Sequence, residues 1–396
     1  MSRVRKHALA LAMATCALLL ATAPARAQEP TVGQTPTASL AETASAQAQP
    51  AAPSESAFVS FFRKTEVAGT FDTYFHYNFN DPETGSITPL RNFDFFHNQF
   101  SFALAELAFS KPPTADDPVG FRLDLDYGSV TDWVHSVDPA GPEVVKHFQQ
   151  AYVSYMAPVG TGLTFDFGKF VTQHGAEVIE AKDNWNYSRS LLFAWAIPYY
   201  HMGMRVGYSP NDKVTLGASV NNGWNNTDEN NSGKTYGVQG LFKPTAAFTT
   251  IVNYMSGPEQ IDNSDDWRHL FDITLTYALN DVFSVMGNYD YGHDTVEGSA
   301  VSWQGVGVYL KAQATPYFAV IPRYEYYNDE DGFTTGDAQN VQEFTLTAEF
   351  KHSKGFFTRL EYRRDWSDID FFEKDGLPAD NQNTFSIGFV YSFSTK

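Results

Sequence analysis

From Glu66 onward, apolar and polar residues alternate with a period of two, segment after segment. A strand turns successive side chains to opposite faces, so this alternation means one apolar and one polar face. Residues 385–393 show it best: Phe385, Ile387, Phe389, Tyr391 and Phe393 alternate with Ser386, Gly388, Val390 and Ser392. The stretches 121–127, 269–279 and 344–350 repeat it. Sixteen segments can be drawn: 66–79, 97–109, 119–130, 147–156, 163–171, 200–209, 213–222, 234–243, 246–257, 267–279, 282–292, 301–313, 316–328, 341–352, 355–365 and 383–393. Most have the roughly ten-residue length that a tilted strand needs to cross a bilayer. Beyond the N-terminal region no apolar run reaches the length of a helical span. The mean hydropathy of −0.32 also argues against membrane helices, whereas a barrel dilutes its lipid-facing residues with polar ones.

The connections carry a second regularity. Short turns such as Ser209-Pro210-Asn211-Asp212, Lys243-Pro244-Thr245 and Leu279-Asn280-Asp281 alternate with long polar stretches at 80–96, 131–146, 223–233, 258–266, 329–340 and 366–382. Outer-membrane barrels have short periplasmic turns and long outer loops. At roughly 20 residues per strand and connection, about 330 residues give ~16 strands. The expected fold is therefore all-β: a transmembrane, antiparallel, up-and-down barrel over 58–396. A lumen that wide is not filled by its own wall side chains. Tyr208, Tyr254, Trp267, Tyr277, Tyr289, Tyr291, Tyr324, Tyr326, Tyr362 and Trp366 fall near strand ends, where aromatic girdles sit. Intrinsic strand propensity is the alternative account of them.

Residues 1–27 read as an export signal. Arg3, Arg5 and Lys6 precede the apolar run Ala8–Ala21, and Ala25-Arg26-Ala27 is an A-x-A cleavage site. A retained anchor and a lipoprotein start at Cys16 fit less well, because the run is short and Met13-Ala14-Thr15 is a poor lipobox. Cleavage removes the lone cysteine, and with it disulfides, thiolate metal sites and a cysteine nucleophile. It leaves 23 basic residues against 46 acidic ones, an unlikely surface for nucleic acid. Residues 28–57, rich in Ala, Pro, Thr, Gln and Ser, read as a disordered periplasmic leader.

The longest inter-strand connection, 172–199, holds Glu177, Glu180, Lys182, Asp183 and Arg189 and then the apolar Leu191-Leu192-Phe193-Ala194-Trp195. A 28-residue loop is functional or disordered, and this one is too apolar at its end for disorder. It is expected to fold into the lumen and narrow it, the alternative being an outer cap on neighbouring loops. Parity adds lumen-facing charges: Arg122, Asp124 and Asp126; Arg323 and Glu325; Glu343, Glu349 and Lys351; Arg359, Glu361 and Arg363. On the lipid side each would cost about 2–4 kcal/mol at mid-bilayer, so all should point inward. No catalytic motif, metal site or cofactor site is expected. Ser232-Gly233-Lys234-Thr235 only superficially matches a phosphate loop, and His174 and His201, which flank the long loop, read as solvated rather than catalytic.

Gln150-Ala151-Tyr152-Val153, Phe167-Gly168-Lys169-Phe170, Gly175-Ala176-Glu177-Val178, Asn184-Trp185-Asn186-Tyr187-Ser188-Arg189-Ser190 and Tyr200-His201-Met202-Gly203 form a distinctive series. It resembles the putative β-barrel porin-2 family, the OmpL-like outer-membrane proteins. The resemblance implies a bacterial outer-membrane pore and assigns no functional residues. The chain ends Phe393-Ser394-Thr395-Lys396 rather than on the terminal aromatic that the assembly machinery commonly reads. The expected function is passive diffusion of small hydrophilic solutes or ions. The rivals are a receptor or adhesin acting through loops such as 221–231 with Trp224, and a barrel enzyme. Expected partners are outer-membrane lipid, the barrel-assembly machinery, small hydrophilic solutes and, as an open option, further copies in a homo-oligomer.

Overall fold

The computed structural model describes residues 57–83, 87–138, 143 and 145–396. The export signal and the leader lie outside the described residues, apart from Ala57. Sixteen antiparallel strands close one barrel. They are β1 (Glu66–Asn78), β2 (Gln99–Lys111), β3 (Val119–Tyr127), β4 (Phe148–Ala157), β5 (Leu163–Val171), β6 (Tyr200–Asn211), β7 (Val214–Asn221) and β8 (Thr235–Thr245). There follow β9 (Phe248–Gln260), β10 (Asn263–Ala278), β11 (Phe283–Val296), β12 (Ser299–Thr315), β13 (Phe318–Asp329), β14 (Gln339–Ser353), β15 (Phe356–Ser367) and β18 (Asn381–Ser394). A hairpin of β16 (Phe372–Lys374) and β17 (Leu377–Ala379) stands apart. The ends meet as β1 and β18 pair from Ala68↔Ser394 to Asn78↔Thr384, so the barrel leaves no open edge.

Each of the sixteen expected strands has its counterpart. The apolar alternation sets which face each strand turns outward, because slipping by one residue would turn an apolar face into the lumen. Three details differ. Residues 258–266 are not a loop, since β9 and β10 run on to a turn at Ile261-Asp262, where Asp262 has φ 56°. Residues 258–266 hold Glu259, Asp262, Asp265 and Asp266 and one large apolar side chain, Ile261, so no alternation marked the hairpin. The strand expected over 119–130 stops at Tyr127. At Gly128 φ is 133°, and helix α2 (Ser129–Val134) follows. A Cβ on Gly128 would lie 2.2 Å from the Ala103 carbonyl oxygen, so the chain can turn there only with glycine. The third is helix α1 (Ala57–Lys64), which no period-two pattern announced. Its Phe61 ring stacks on outward-facing Phe121 at 5.8 Å, and Lys64 reaches Asp117 at 2.9 Å. The ammonium groups of Lys64 and Lys111 hold the Asp117 carboxyl below its usual range.

Outward positions carry the exposed apolar residues, among them Phe100, Val153, Phe167, Val238, Val308, Leu346 and Phe389. This band suits lipid contact. Near the loop end, outward tyrosines donate to neighbouring amides: Tyr324 to Gln342 at 2.6 Å, Tyr326 to Asn340 at 2.7 Å and Tyr362 to Asn383 at 2.6 Å. Among the described residues, no helix is long and apolar enough to cross a membrane.

Candidate functional site

The connections at the loop end are L1 (79–98), L2 (128–147), L3 (172–199), L4 (222–234), L5 (261–262), L6 (297–298), L7 (330–338) and L8 (368–380). L3 leaves and re-enters the wall at paired residues, Val171↔Tyr200. Most of its backbone belongs to no ladder, so its N–H and C=O groups need other partners. Charged side chains of β13 and β15 supply them. The Glu361 carboxylate accepts from the Tyr187 N–H at 2.7 Å and the Ser188 N–H at 2.9 Å. Glu325 accepts from the Leu191 N–H at 2.7 Å. Arg323 donates to the Ser188 carbonyl at 2.7 Å, and Arg363 to the Arg189 carbonyl at 2.8 Å. Arg359 donates to the carbonyls of Ala181 at 2.7 Å and Asn186 at 2.9 Å.

These charges also neutralise one another. Arg323 pairs with Glu177 at 2.9 Å and with Glu343 at 2.8 Å; Arg359 pairs with Glu349 at 2.8 Å, and Arg363 with Asp365 at 2.6 Å. A buried charge without such partners is strongly destabilising. The Tyr187 hydroxyl donates to Asp72 at 2.8 Å. Its ring lies on Gly388, where a Cβ would come within 2.3 Å of it.

The second half of L3 is held by apolar packing. Leu192–Ala196 forms one helical turn, whose Phe193 ring lies 6.0 Å from Phe93 of L1. Asn92 donates to the Ala194 carbonyl at 2.9 Å and to the Tyr199 hydroxyl at 2.6 Å. Trp303 donates to the Ala196 carbonyl at 3.0 Å. The Arg189 guanidinium lies 4.8 Å over the Phe93 ring. L1 is thus folded inward as well, and Leu90, Arg91, Asn92, Phe93 and Asp94 are all buried. The polarity of 80–96 predicts an outer loop, and the inward fold of 90–94 corrects that expectation. The available signal was Phe93, Phe95 and Phe96 within five residues, an aromatic density that water does not favour.

L3 divides the expected site residues into two sets. Glu177, Arg189, Arg323, Glu325, Glu349, Arg359, Glu361 and Arg363 are 0–4% exposed, clamped between loop and wall. Glu180, Lys182, Asp183 and Arg122 border an open space of about 370 Å³ on the other side of the loop, with Glu106, Gln150 and Thr172; part of Glu177 also faces it. Asp124 is covered, accepting from Arg122 at 2.8 Å and Gln150 at 2.6 Å. Asp126 is fully buried, and neither of its carboxylate oxygens has a hydrogen-bond partner among the described residues. Glu106, which accepts from Thr70 at 2.8 Å, was missed because one acid in the apolar run 100–109 gives no charge pattern. The burial is lopsided. Inward positions are covered on β13, on β15 and on β14 as far as Glu349, with Lys351 beyond it exposed, and are half-exposed at Thr215, Gly217 and Ser219 of β7.

L2 closes over the same interior. His135 of L2 is buried, its Nδ1 lies 2.9 Å from the Thr131 carbonyl oxygen, and its Nε2 meets the Lys169 ammonium. Burial, reinforced by Lys169, pushes its pKa down to about 4. Among the described residues, no group of histidines and carboxylates could hold a metal ion.

The architecture is shared with solved outer-membrane barrels. OmpT of Vibrio cholerae superimposes with a TM-score of 0.57 at 13% identity, over 83% of this chain and 97% of that one. The anion-selective porin from Comamonas acidovorans gives 0.58 at 10% identity, over 83% and 99%. The outer-membrane channel DcaP of Acinetobacter baumannii gives 0.55 at 13% identity, over 83% and 97%. At these identities the likeness is one of fold. No curated protein matches the sequence. A family description, putative beta-barrel porin-2, OmpL-like, matches residues 64–393, nearly the whole barrel from the end of α1 to β18. The chain therefore belongs to the putative beta-barrel porin-2, OmpL-like family, and its place is the bacterial outer membrane.

Proposed function

We propose that this porin-family barrel is a passive, non-enzymatic channel for small hydrophilic solutes or ions, narrowed by L3. One observation carries the reading: L3 is pinned to the β13–β15 wall by buried charges, while the space of about 370 Å³ facing β2–β4 stays open. Hydrophilic lining at a narrow point lets hydrated solutes pass and penalises apolar ones. Arg323 neutralises Glu177, so Glu106, Glu180 and Asp183 stand against Arg122 and Lys182 around that space, a small acidic excess that favours cations over anions. The Comamonas barrel is described as anion-selective. The difference would lie in side chains, since the folds agree.

An export signal over 1–27 and delivery to the membrane by the barrel-assembly machinery complete the proposal. Oligomerisation is a further part of it; V. cholerae OmpT has been solved in a trimer form. The experiment is conductance of the purified protein in a planar lipid bilayer under a potassium chloride gradient. Stable steps with a reversal potential of cation-selective sign are expected. Absence of steps from protein shown to be folded would overturn the channel reading, and an anion-selective sign would overturn the selectivity.

A further inference from the structure

At the loop end lies a second cavity, of about 490 Å³, within the roughly 300–1,000 Å³ of small-molecule sites. Four of the chain's seven tryptophans stand on its wall: Trp133, Trp195, Trp224 and Trp303. They come from α2, L3, L4 and β12, elements far apart in sequence. Trp303 is fully buried and meets Trp224 edge-on at 6.2 Å. Trp133, Trp195 and Trp224 are only partly covered. Each packs against the core on one side, and the rest of each ring borders the cavity.

Amides fill the spaces between the rings. Asn225, Asn226, Asn230 and Gln260 face the same cavity; Asn225 accepts from the Tyr199 N–H at 2.6 Å, Asn230 donates to the Glu259 carbonyl at 3.1 Å and Gln260 donates to Asp294 at 3.0 Å, which leaves each amide with unused capacity. The two charges beside them are already engaged. Arg268 pairs with Asp294 at 2.8 Å and lies 4.9 Å over the Trp224 ring, and Glu259 accepts from the Trp224 N–H at 2.7 Å. Nδ2 of Asn226 and Nε1 of Trp195 have no hydrogen-bond partner among the described residues.

We infer that this vestibule binds a saccharide. A sugar ring has a weakly polar C–H face and a rim of hydroxyls that donate and accept. The indole planes suit the face and the amides suit the rim. An anionic solute would face the Glu259 carboxylate, since the arginine beside it is already paired with Asp294, and a wholly apolar one would bury the amides unsatisfied. The inference deepens the channel reading and rests on it: the cavity would collect sugar at the mouth of the diffusion path.

Two measurements on the full chain keep the proposals apart. In detergent, tryptophan fluorescence is titrated with maltotriose, cellobiose and sucrose. In a bilayer, the same sugars are added to open channels. At least one sugar is expected to change the fluorescence saturably, with a dissociation constant on the order of millimolar, and to interrupt the current reversibly. W195A and W224A should each weaken that binding about tenfold, with channel steps retained in sugar-free salt as evidence of folding. W267F, on the outer face, should leave it unchanged. Channel steps with no saturable response to any of the three sugars would overturn the sugar site and leave the channel standing. Saturation by benzoate but by no sugar would also overturn it. Saturable sugar binding without steps would support the site while the channel reading fails.

Discussion

Arg323 shows how one side chain is used at two levels. It neutralises Glu177 and Glu343, and it gives a donor to the Ser188 carbonyl of a loop without regular backbone bonding. R323A removes the cation from among buried carboxylates, and breaking such a pair costs about 3–5 kcal/mol. Urea unfolding in lipid vesicles should show a loss of that order, whereas an outward substitution such as V308A should cost far less. His135 supplies a pH-dependent term. Its pKa is about 4 in the folded protein, below the roughly 6.5 of free histidine. An opened L2 therefore takes up a proton that the closed one refuses, and closure loses stability as pH falls from about 6.5 towards 4. Protection factors against hydrogen exchange over 129–138, taken relative to the intrinsic rate at each pH, should fall through that window, and H135Q should flatten that dependence.

L3 behaves as a separately attached element. Its ends join at neighbouring residues of β5 and β6, so a short linker can replace it without disturbing the sheet. Deleting 177–195 should enlarge the conductance steps several-fold, since the wall arginines would then face water; steps of unchanged size would refute constriction by L3. Gly388 offers a milder test. A leucine there must displace the Tyr187 ring, so G388L should loosen L3 and give noisier, larger steps while the barrel still closes. The loop's charge content and its apolar end were legible in the sequence. The identity of its partners was not, because Arg323, Glu325, Arg359, Glu361 and Arg363 are more than 120 residues away from it. Parity placed them inward. It could not say whether they would face solute or loop.

At the scale of the whole molecule, closure between β1 and β18 pairs every barrel strand on both sides. The folded protein should therefore resist SDS at room temperature and run faster on a gel than after boiling; identical mobility would argue against a closed barrel. Strand number and facing direction were carried by the sequence, because lipid outside and water inside impose a two-residue period on the wall; register, with its bulges, was not. The interior was decided only in three dimensions. The inward turn of L1, the seating of L3 on β13–β15, and the four tryptophans around one vestibule arise from contacts between segments far apart along the chain. Local periodicity records which way a residue faces. What it meets there depends on how distant segments pack.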